Sequence, residues 1–298
     1  MKSISIAVTQ MSCTLNRLDN IRQACDLVEQ AAEKGAQVVL LQELFETPYF
    51  CIDIDPVHYT EATTVNDNPA IAKIRKLAEK LNVVVPVSFY ELDEDGRRFN
   101  SLAMIDAGGD LLGIYRKSHI PDFPAYEEVF YFSPGDTGFR VWDTKYLRIG
   151  CGVCWDQWFP EVARIMSVMG AELLMYPTAI GRPTEYASDQ PMNTKPHWQL
   201  TMQGHAAANQ VILMASNRIG IETGKDQETN FYGSSFIANA TGTKVLELDE
   251  ETRSIGVMEF DFDKIAEFRK SMGIYRTRRN DLYEPIRTQT PPEYLRTR

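Results

Sequence analysis

Tyr146-Leu-Arg-Ile-Gly-Cys-Gly-Val-Cys-Trp-Asp-Gln-Trp-Phe-Pro-Glu161 changes character at Cys154. Apolar residues and glycine lead up to that cysteine, as they do in a buried strand. Pro160 then suits the first turn of a helix, where its missing N–H leaves no bond unmade. Val162, Ile165, Met166 and Met169 follow at helical spacing. Cys154 therefore stands where a strand ends and a helix is about to begin. A side chain there is held rigidly and still meets a ligand.

A thiol in that place has several meanings. Many lone cysteines are small core hydrophobes. Cys151-Gly-Val-Cys154 is also a C-x-x-C, which raises redox and zinc readings. Cys13, Cys25 and Cys51 are scattered, and no histidine lies close by in sequence. A strand through 151–154 places Cys151 and Cys154 on opposite faces, which argues against a disulfide between them. A nucleophile needs a base and an oxyanion partner from elsewhere in the chain.

The 298 residues suffice for a large core, and the composition, 44% hydrophobic and 24% charged, is that of a soluble globular protein. A net charge of −10 argues against a general nucleic-acid role. No apolar run approaches the roughly 18–20 residues of a membrane span. The first residues alternate like a strand and lack a signal-peptide core. A reduced cytoplasmic setting is expected. Strands are predicted at 4–11, 37–43, 83–91, 99–106, 111–116, 139–143, 147–154, 173–178, 211–216, 234–239, 244–248 and 255–261. Helices are predicted at 16–34, 67–81, 160–170, 197–209 and 263–272. Long loops cover 118–138 and 180–195. Strands and helices mix throughout, which predicts one α/β domain of layered sheets over 1–272. Residues 269–298 carry eight Lys+Arg against three Asp+Glu. The segment 273–298 reads as a C-terminal arm, docking on an acidic partner subunit.

Glu43, Lys117 and Cys154 each follow an apolar run, and ligands collect at the carboxyl ends of strands in α/β sheets. Together they supply a base, a cation and a nucleophile, the set that acyl transfer requires. Leu40-Leu-Gln-Glu-Leu-Phe45, Tyr115-Arg-Lys-Ser-His-Ile120 and Gly152-Val-Cys-Trp-Asp-Gln-Trp-Phe-Pro-Glu161 resemble the signatures of the nitrilase, or carbon–nitrogen hydrolase, superfamily. The resemblance implies a four-layer αββα sandwich, subunits paired as homo-oligomers, and a Glu-Lys-Cys triad with no metal or organic cofactor. It also implies a second glutamate, which falls on Glu128 beside Glu127. His119-Ile-Pro-Asp122, Tyr176-Pro-Thr-Ala-Ile-Gly181 and Ala215-Ser-Asn-Arg-Ile-Gly220 resemble the branch acting on N-carbamoylputrescine in polyamine biosynthesis. Asp122-Phe-Pro-Ala-Tyr126 and Arg182-Pro-Thr-Glu185 depart from that branch.

On this reading Glu43 deprotonates Cys154, and Lys117 and the Trp155 N–H stabilise the oxyanion. A small cationic carbamoyl amine is the expected substrate, with Tyr49 walling its stem and Asp122 or Glu185 pairing with its ammonium. Arg182 is the counter-indication, a cation in the same loop. The alternatives are another ureido or aliphatic amide hydrolase, such as a β-ureidopropionase, a C-x-x-C redox protein, or a catalytically idle binding module.

Overall fold

The computed structural model describes residues 2–183 and 193–296. In strand β1 (Ser3–Gln10), Ile4, Ile6 and Val8 enter one core and Ala7 another. A strand buried on both faces belongs in the middle of a layered structure. Helix α1 (Arg17–Glu33) starts at Asn16, whose side chain accepts from the N–H groups of Leu18 and Asp19. β2 (Val38–Leu40) runs parallel to β1. α2 (Pro69–Leu81) is capped by Asn68 and ends at Asn82 in the left-handed conformation. β3 (Val85–Leu92), β4 (Arg98–Ile105) and β5 (Leu111–Arg116) form an antiparallel meander. Backbone bonds of Val84 with Gln37 and Val39 join this meander to β2.

One turn of helix, α3 (Glu128–Tyr131), interrupts the loop after β5. The second sheet contains β6 (Val141–Asp143) and β7 (Arg148–Cys151), then β8 (Leu173–Pro177) beyond α4 (Pro160–Val168). β9 (Gly181–Pro183) and α5 (Lys195–Asn209) lead to β10 (Ile212–Ser216), which pairs parallel to β8. A hairpin of β11 (Ile219–Thr223) and β12 (Glu228–Tyr232) returns to pair with β9. β13 (Phe236–Ala238) and β14 (Lys244–Glu247) complete the second sheet. β15 (Ser254–Asp261) crosses back to pair antiparallel with β1, and α6 (Phe262–Met272) follows it.

Three cores define the layers. Ile6, Val8, Leu40, Ile149, Met175 and Met214 fill the space between the two sheets. Ile21, Val28, Ile74 and Val39 seal α1 and α2 onto the first sheet. Val162, Met166, Trp198 and Leu213 seal α4 and α5 onto the second. The result is the expected αββα sandwich. At the strand ends polar bonds stitch the sheets: Ser216 Oγ, on β10, donates to the Leu40 carbonyl of β2 at 2.8 Å and accepts from the Thr9 N–H of β1 at 3.1 Å.

The structure departs from the sequence expectation in several places, among them β9 within the expected loop 180–195 and β7, which ends at Cys151 and not at Cys154. β2 is three residues long, because the chain turns away after Leu40 and Glu43 lies beyond the strand. The hairpin at 219–232 was not anticipated: Glu222, Lys225, Asp226 and Glu228 break its apolar pattern, and only its pairing with β9 makes it a sheet. The arm after α6 carries a short helix, α7 (Glu284–Thr288), with no buried residue.

Candidate active site

β7 stops at Cys151, and a 3-10 turn begins at Cys154. Cys154 has φ +41°, a left-handed conformation that costs a non-glycine residue about 1–3 kcal/mol and persists only when its surroundings impose it. Asp156 is a main constraint. Its buried carboxylate accepts from the Val153 N–H at 3.0 Å, the Tyr115 hydroxyl at 2.7 Å and the His119 N–H at 3.1 Å, and it pairs with His119 Nδ1 at 2.7 Å. The His119 ring in turn stacks on Phe159, centroids 3.7 Å apart. Gln157 braces the other side, donating to Thr178 Oγ1 and accepting from Trp198 Nε1 at 2.8 Å. Gly152 is required there, since a Cβ would lie 2.8 Å from the Tyr176 ring.

Glu43, Lys117 and Glu128 meet in one buried cluster. Lys117 Nζ donates to Glu43 Oε1 at 3.0 Å and to both Glu128 oxygens, at 2.9 and 2.6 Å. All three side chains are fully buried. Asn100, on β4, donates to Glu43 Oε1 at 2.7 Å. The other oxygen, Glu43 Oε2, has no hydrogen-bond partner among the described residues. Of the adjacent acids, Glu128 is the one that reaches Lys117, while Glu127 is only half-buried.

Tyr49 and Asp122 lie elsewhere than expected. Tyr49 does not wall the cavity; it is buried beneath it, and its hydroxyl donates to Glu128 Oε1 at 2.5 Å. Its backbone N–H donates to Glu222 Oε2 at 2.5 Å, and Glu222 Oε1 pairs with Arg218 at 2.7 Å. The buried Arg218 guanidinium also donates to the carbonyls of Glu43, Leu44 and Thr47 at 3.1, 2.9 and 2.9 Å. It thereby holds the turn that presents Glu43. Asp122 is exposed and does not line the cavity, because its loop turns outward before Phe123 and Tyr126 turn in. Glu185 lies outside the described residues. Asn100 and Arg218 escaped the sequence reading as site residues; the Ala215–Gly220 motif was the available signal for Arg218.

The electrostatics follow from burial. Burial raises the Cys154 thiol well above its ordinary range, and the charge of Glu43 adds to it, against the pull of Lys117. Burial thus disfavours the thiolate, and a base is needed to draw off the proton. Burial works against the Lys117 charge, but Glu128 and Glu43 outweigh it and hold the ammonium charged. Burial pushes Glu128 up to about 7, helped by the charge of Glu43 and opposed by Lys117 and the Tyr49 hydroxyl.

Cys154 forms part of the wall of a cavity of about 260 Å³. Trp155, Trp158, Phe123, Tyr126 and Tyr232 supply aromatic walls, and Arg182 stands at its edge. Cys151, three residues away, faces the core between the sheets. Both thiols are free.

A buried carboxylate and ammonium beneath a thiol, set between two helix-covered sheets, define a thiol hydrolase of the sandwich type. The chain belongs to the carbon–nitrogen hydrolase family, whose model matches residues 5–270. It is 49% identical to the N-carbamoylputrescine amidase of Arabidopsis thaliana, over 96% of each chain. It is 44% identical to a citrullinase of Francisella tularensis, over 96% of this chain and 99% of that one. The carbon–nitrogen hydrolase structure from Helicobacter pylori G27 superposes with a TM-score of 0.91 at 34% identity, covering 97% of this chain and 100% of that one. No helix among the described residues is long and apolar enough to cross a membrane.

Proposed function

We propose that the protein hydrolyses N-carbamoylputrescine to putrescine, CO2 and ammonia through a covalent intermediate on Cys154. The observation that carries the chemistry is the unpartnered Oε2 of Glu43, a buried carboxylate oxygen free to take a proton while Oε1 is held by Lys117 and Asn100. The similarity to N-carbamoylputrescine amidases supports the substrate. The thiol proton passes to Glu43 as the sulfur attacks the carbamoyl carbon. Lys117 and the Trp155 N–H take the charge that develops on oxygen; one such donor is worth about 3–4 kcal/mol of barrier. Glu43 returns the proton to the departing ammonia, leaving a carbamoyl thioester. It then activates water to cleave that ester, and the released carbamic acid loses CO2 to give the amine. Glu128 orients Lys117.

The test is ammonia release from N-carbamoylputrescine, N-carbamoyl-β-alanine and simple amides, with mass analysis of the stalled enzyme. The expected result is a much higher kcat/KM for the cation, an adduct on Cys154 alone, and no turnover by Cys154→Ala. An adduct on Cys151, or equal turnover of the anionic and cationic compounds, would overturn it.

The C-terminal arm is proposed to join subunits of a homo-oligomer in a cytoplasmic setting. Between the arm and the α4–α5 face lies a largely apolar cleft of about 650 Å³, which includes Ile165, Tyr283 and Ile286. Ile286, 66% exposed, stands on the rim of that cleft, so the arm offers apolar surface that a second copy could cover. Deleting residues 287–298 is expected to weaken assembly in sedimentation more than it lowers Tm. A fully active monomer at micromolar concentration would refute this.

A further inference from the structure

Outside the Glu43–Lys117–Glu128 cluster, three buried polar side chains form a line that ends on the nucleophile. Trp198 Nε1 can only donate, and it reaches Gln157 Oε1 at 2.8 Å. That contact sets the orientation of the Gln157 amide. Its other atom, Nε2, is a donor and lies 3.2 Å from Thr178 Oγ1. The Thr178 oxygen therefore accepts, and its own proton is left to donate. Gln157 Oε1 lies 3.5 Å from that hydroxyl, beyond the roughly 2.5–3.0 Å of an O–H···O bond, and Trp198 already occupies it. Trp198, Gln157 and Thr178 are each fully buried, which keeps bulk water from taking a place in the line.

The Cys154 sulfur lies beside the hydroxyl. Burial and the charges of Glu43 and Glu128 raise the thiol, while Lys117 and the Thr178 side chain draw it down. As a thiol, the sulfur faces the Ala179 carbonyl at 4.0 Å, an acceptor that offers nothing to a thiolate. The backbone of Thr178 is tied on both sides: its N–H donates to the Ser216 carbonyl at 2.9 Å, and its carbonyl accepts from the Glu43 N–H at 3.4 Å. One residue thus holds the turn that bears the base and reaches the sulfur that the base serves.

We propose, resting on the hydrolase reading above, that the Thr178 hydroxyl is a further catalytic group, donating to the Cys154 sulfur as it becomes negative, and that Gln157 and Trp198 position it. Each member donates in the same sense, toward the sulfur, and bonds aligned in that way polarise one another. The sulfur carries negative charge twice: when its proton has gone to Glu43, and when the thioester breaks and the sulfur leaves. The hydroxyl serves both steps and keeps its proton throughout. Lys117 and the Trp155 N–H stabilise charge on oxygen; Thr178 stabilises it on sulfur.

The experiment compares Thr178→Val, which keeps the shape and removes the hydroxyl, with Thr178→Ser, which keeps the hydroxyl. In Thr178→Val, kcat for ammonia release from N-carbamoylputrescine is expected to fall about 10- to 100-fold, as for loss of a hydrogen bond to a charged group, with KM changed less than about twofold. Thr178→Ser is expected to recover most of that loss. Alkylation by iodoacetamide, followed by mass at Cys154, reads the sulfur without turnover. Its rate at fixed pH follows the thiolate fraction, partly offset because a more basic thiolate is more nucleophilic, so Thr178→Val is expected to slow it about 3- to 10-fold. Gln157→Met removes the support but leaves the hydroxyl. It is expected to cost less than Thr178→Val, and the double variant is expected to be no slower than Thr178→Val alone. Unchanged kcat and alkylation in folded Thr178→Val, a loss confined to KM, or a Thr178→Ser as slow as Thr178→Val would overturn the proposal. So would losses that add in the double variant. Should Thr178→Val fail to fold, Thr178→Ala against Thr178→Ser makes the same comparison. If no compound yields ammonia but alkylation slows without the hydroxyl and recovers with serine, the hydrolase reading falls and the donor to sulfur stands; alkylation indifferent to Thr178 overturns the donor.

Discussion

Tyr49→Phe removes one hydroxyl and keeps the ring that packs 5.8 Å from Tyr126 and 6.0 Å from Phe231. The lost bond is the one from Tyr49 to Glu128, at 2.5 Å. A hydrogen bond to a charged, buried group is worth about 1.5–3 kcal/mol. The hydroxyl favours the ionised form of Glu128, so its loss raises the proton affinity of that carboxyl. At 1.36 kcal/mol per unit, the apparent midpoint should move from about 7 up by about one to two units. When Glu128 is protonated, it loses its charge-assisted hold on the Lys117 ammonium, which then no longer stands fixed for the developing oxyanion. The ionised cluster is therefore the active form, and the midpoint belongs to the coupled cluster. The assay is the pH profile of kcat/KM for ammonia release. Wild type should show an acid limb near pH 7, and Tyr49→Phe should show it displaced upward. Activity at pH 7 should fall about 5- to 50-fold and largely return near pH 9. An unmoved limb, or a loss equal at every pH, would refute the idea that Tyr49 acts through the Glu128 proton.

Glu128 has a second consequence. Its folded-state pKa is raised from 4.5 to about 7, so the native state binds the proton more tightly than the unfolded chain. Stability should therefore fall as pH rises from about 4.5 to about 7, by up to about 3 kcal/mol from this group, and Glu128→Gln should flatten that slope in urea titrations. Arg218→Met leaves the Glu222 carboxylate without its buried partner and frees the Glu43 turn; a loss of about 3–5 kcal/mol is expected, read as a lowered Tm. Cys151→Ser, deep between the sheets, should cost about 1–3 kcal/mol of stability while turnover survives, since its side chain faces away from the cavity. A folded but inactive Cys151→Ser would reopen the C-x-x-C reading.

Local pattern determined much of this protein. Apolar period located β1, β3, β4 and β10 within two residues, and Pro160 marked a helix start, because such signals act through neighbours in the chain. The motifs around residues 43, 117 and 154 named the family for the same reason. Tertiary structure decided the rest. Glu43 and Lys117 are 74 residues apart, and only the packing of the first sheet brings them to 3.0 Å. Tyr49, read as a wall for the substrate stem, became a donor to Glu128 because the loop after β2 folds underneath the site. Asp122 was read as facing an ammonium and turned out exposed, since a loop residue's direction depends on what its neighbours find to pack against. The place of Arg182 at the edge of the cavity emerged only when β9 found β12. That pairing joins segments almost fifty positions apart and is set by burial and backbone hydrogen bonding, which no local sequence signal encodes.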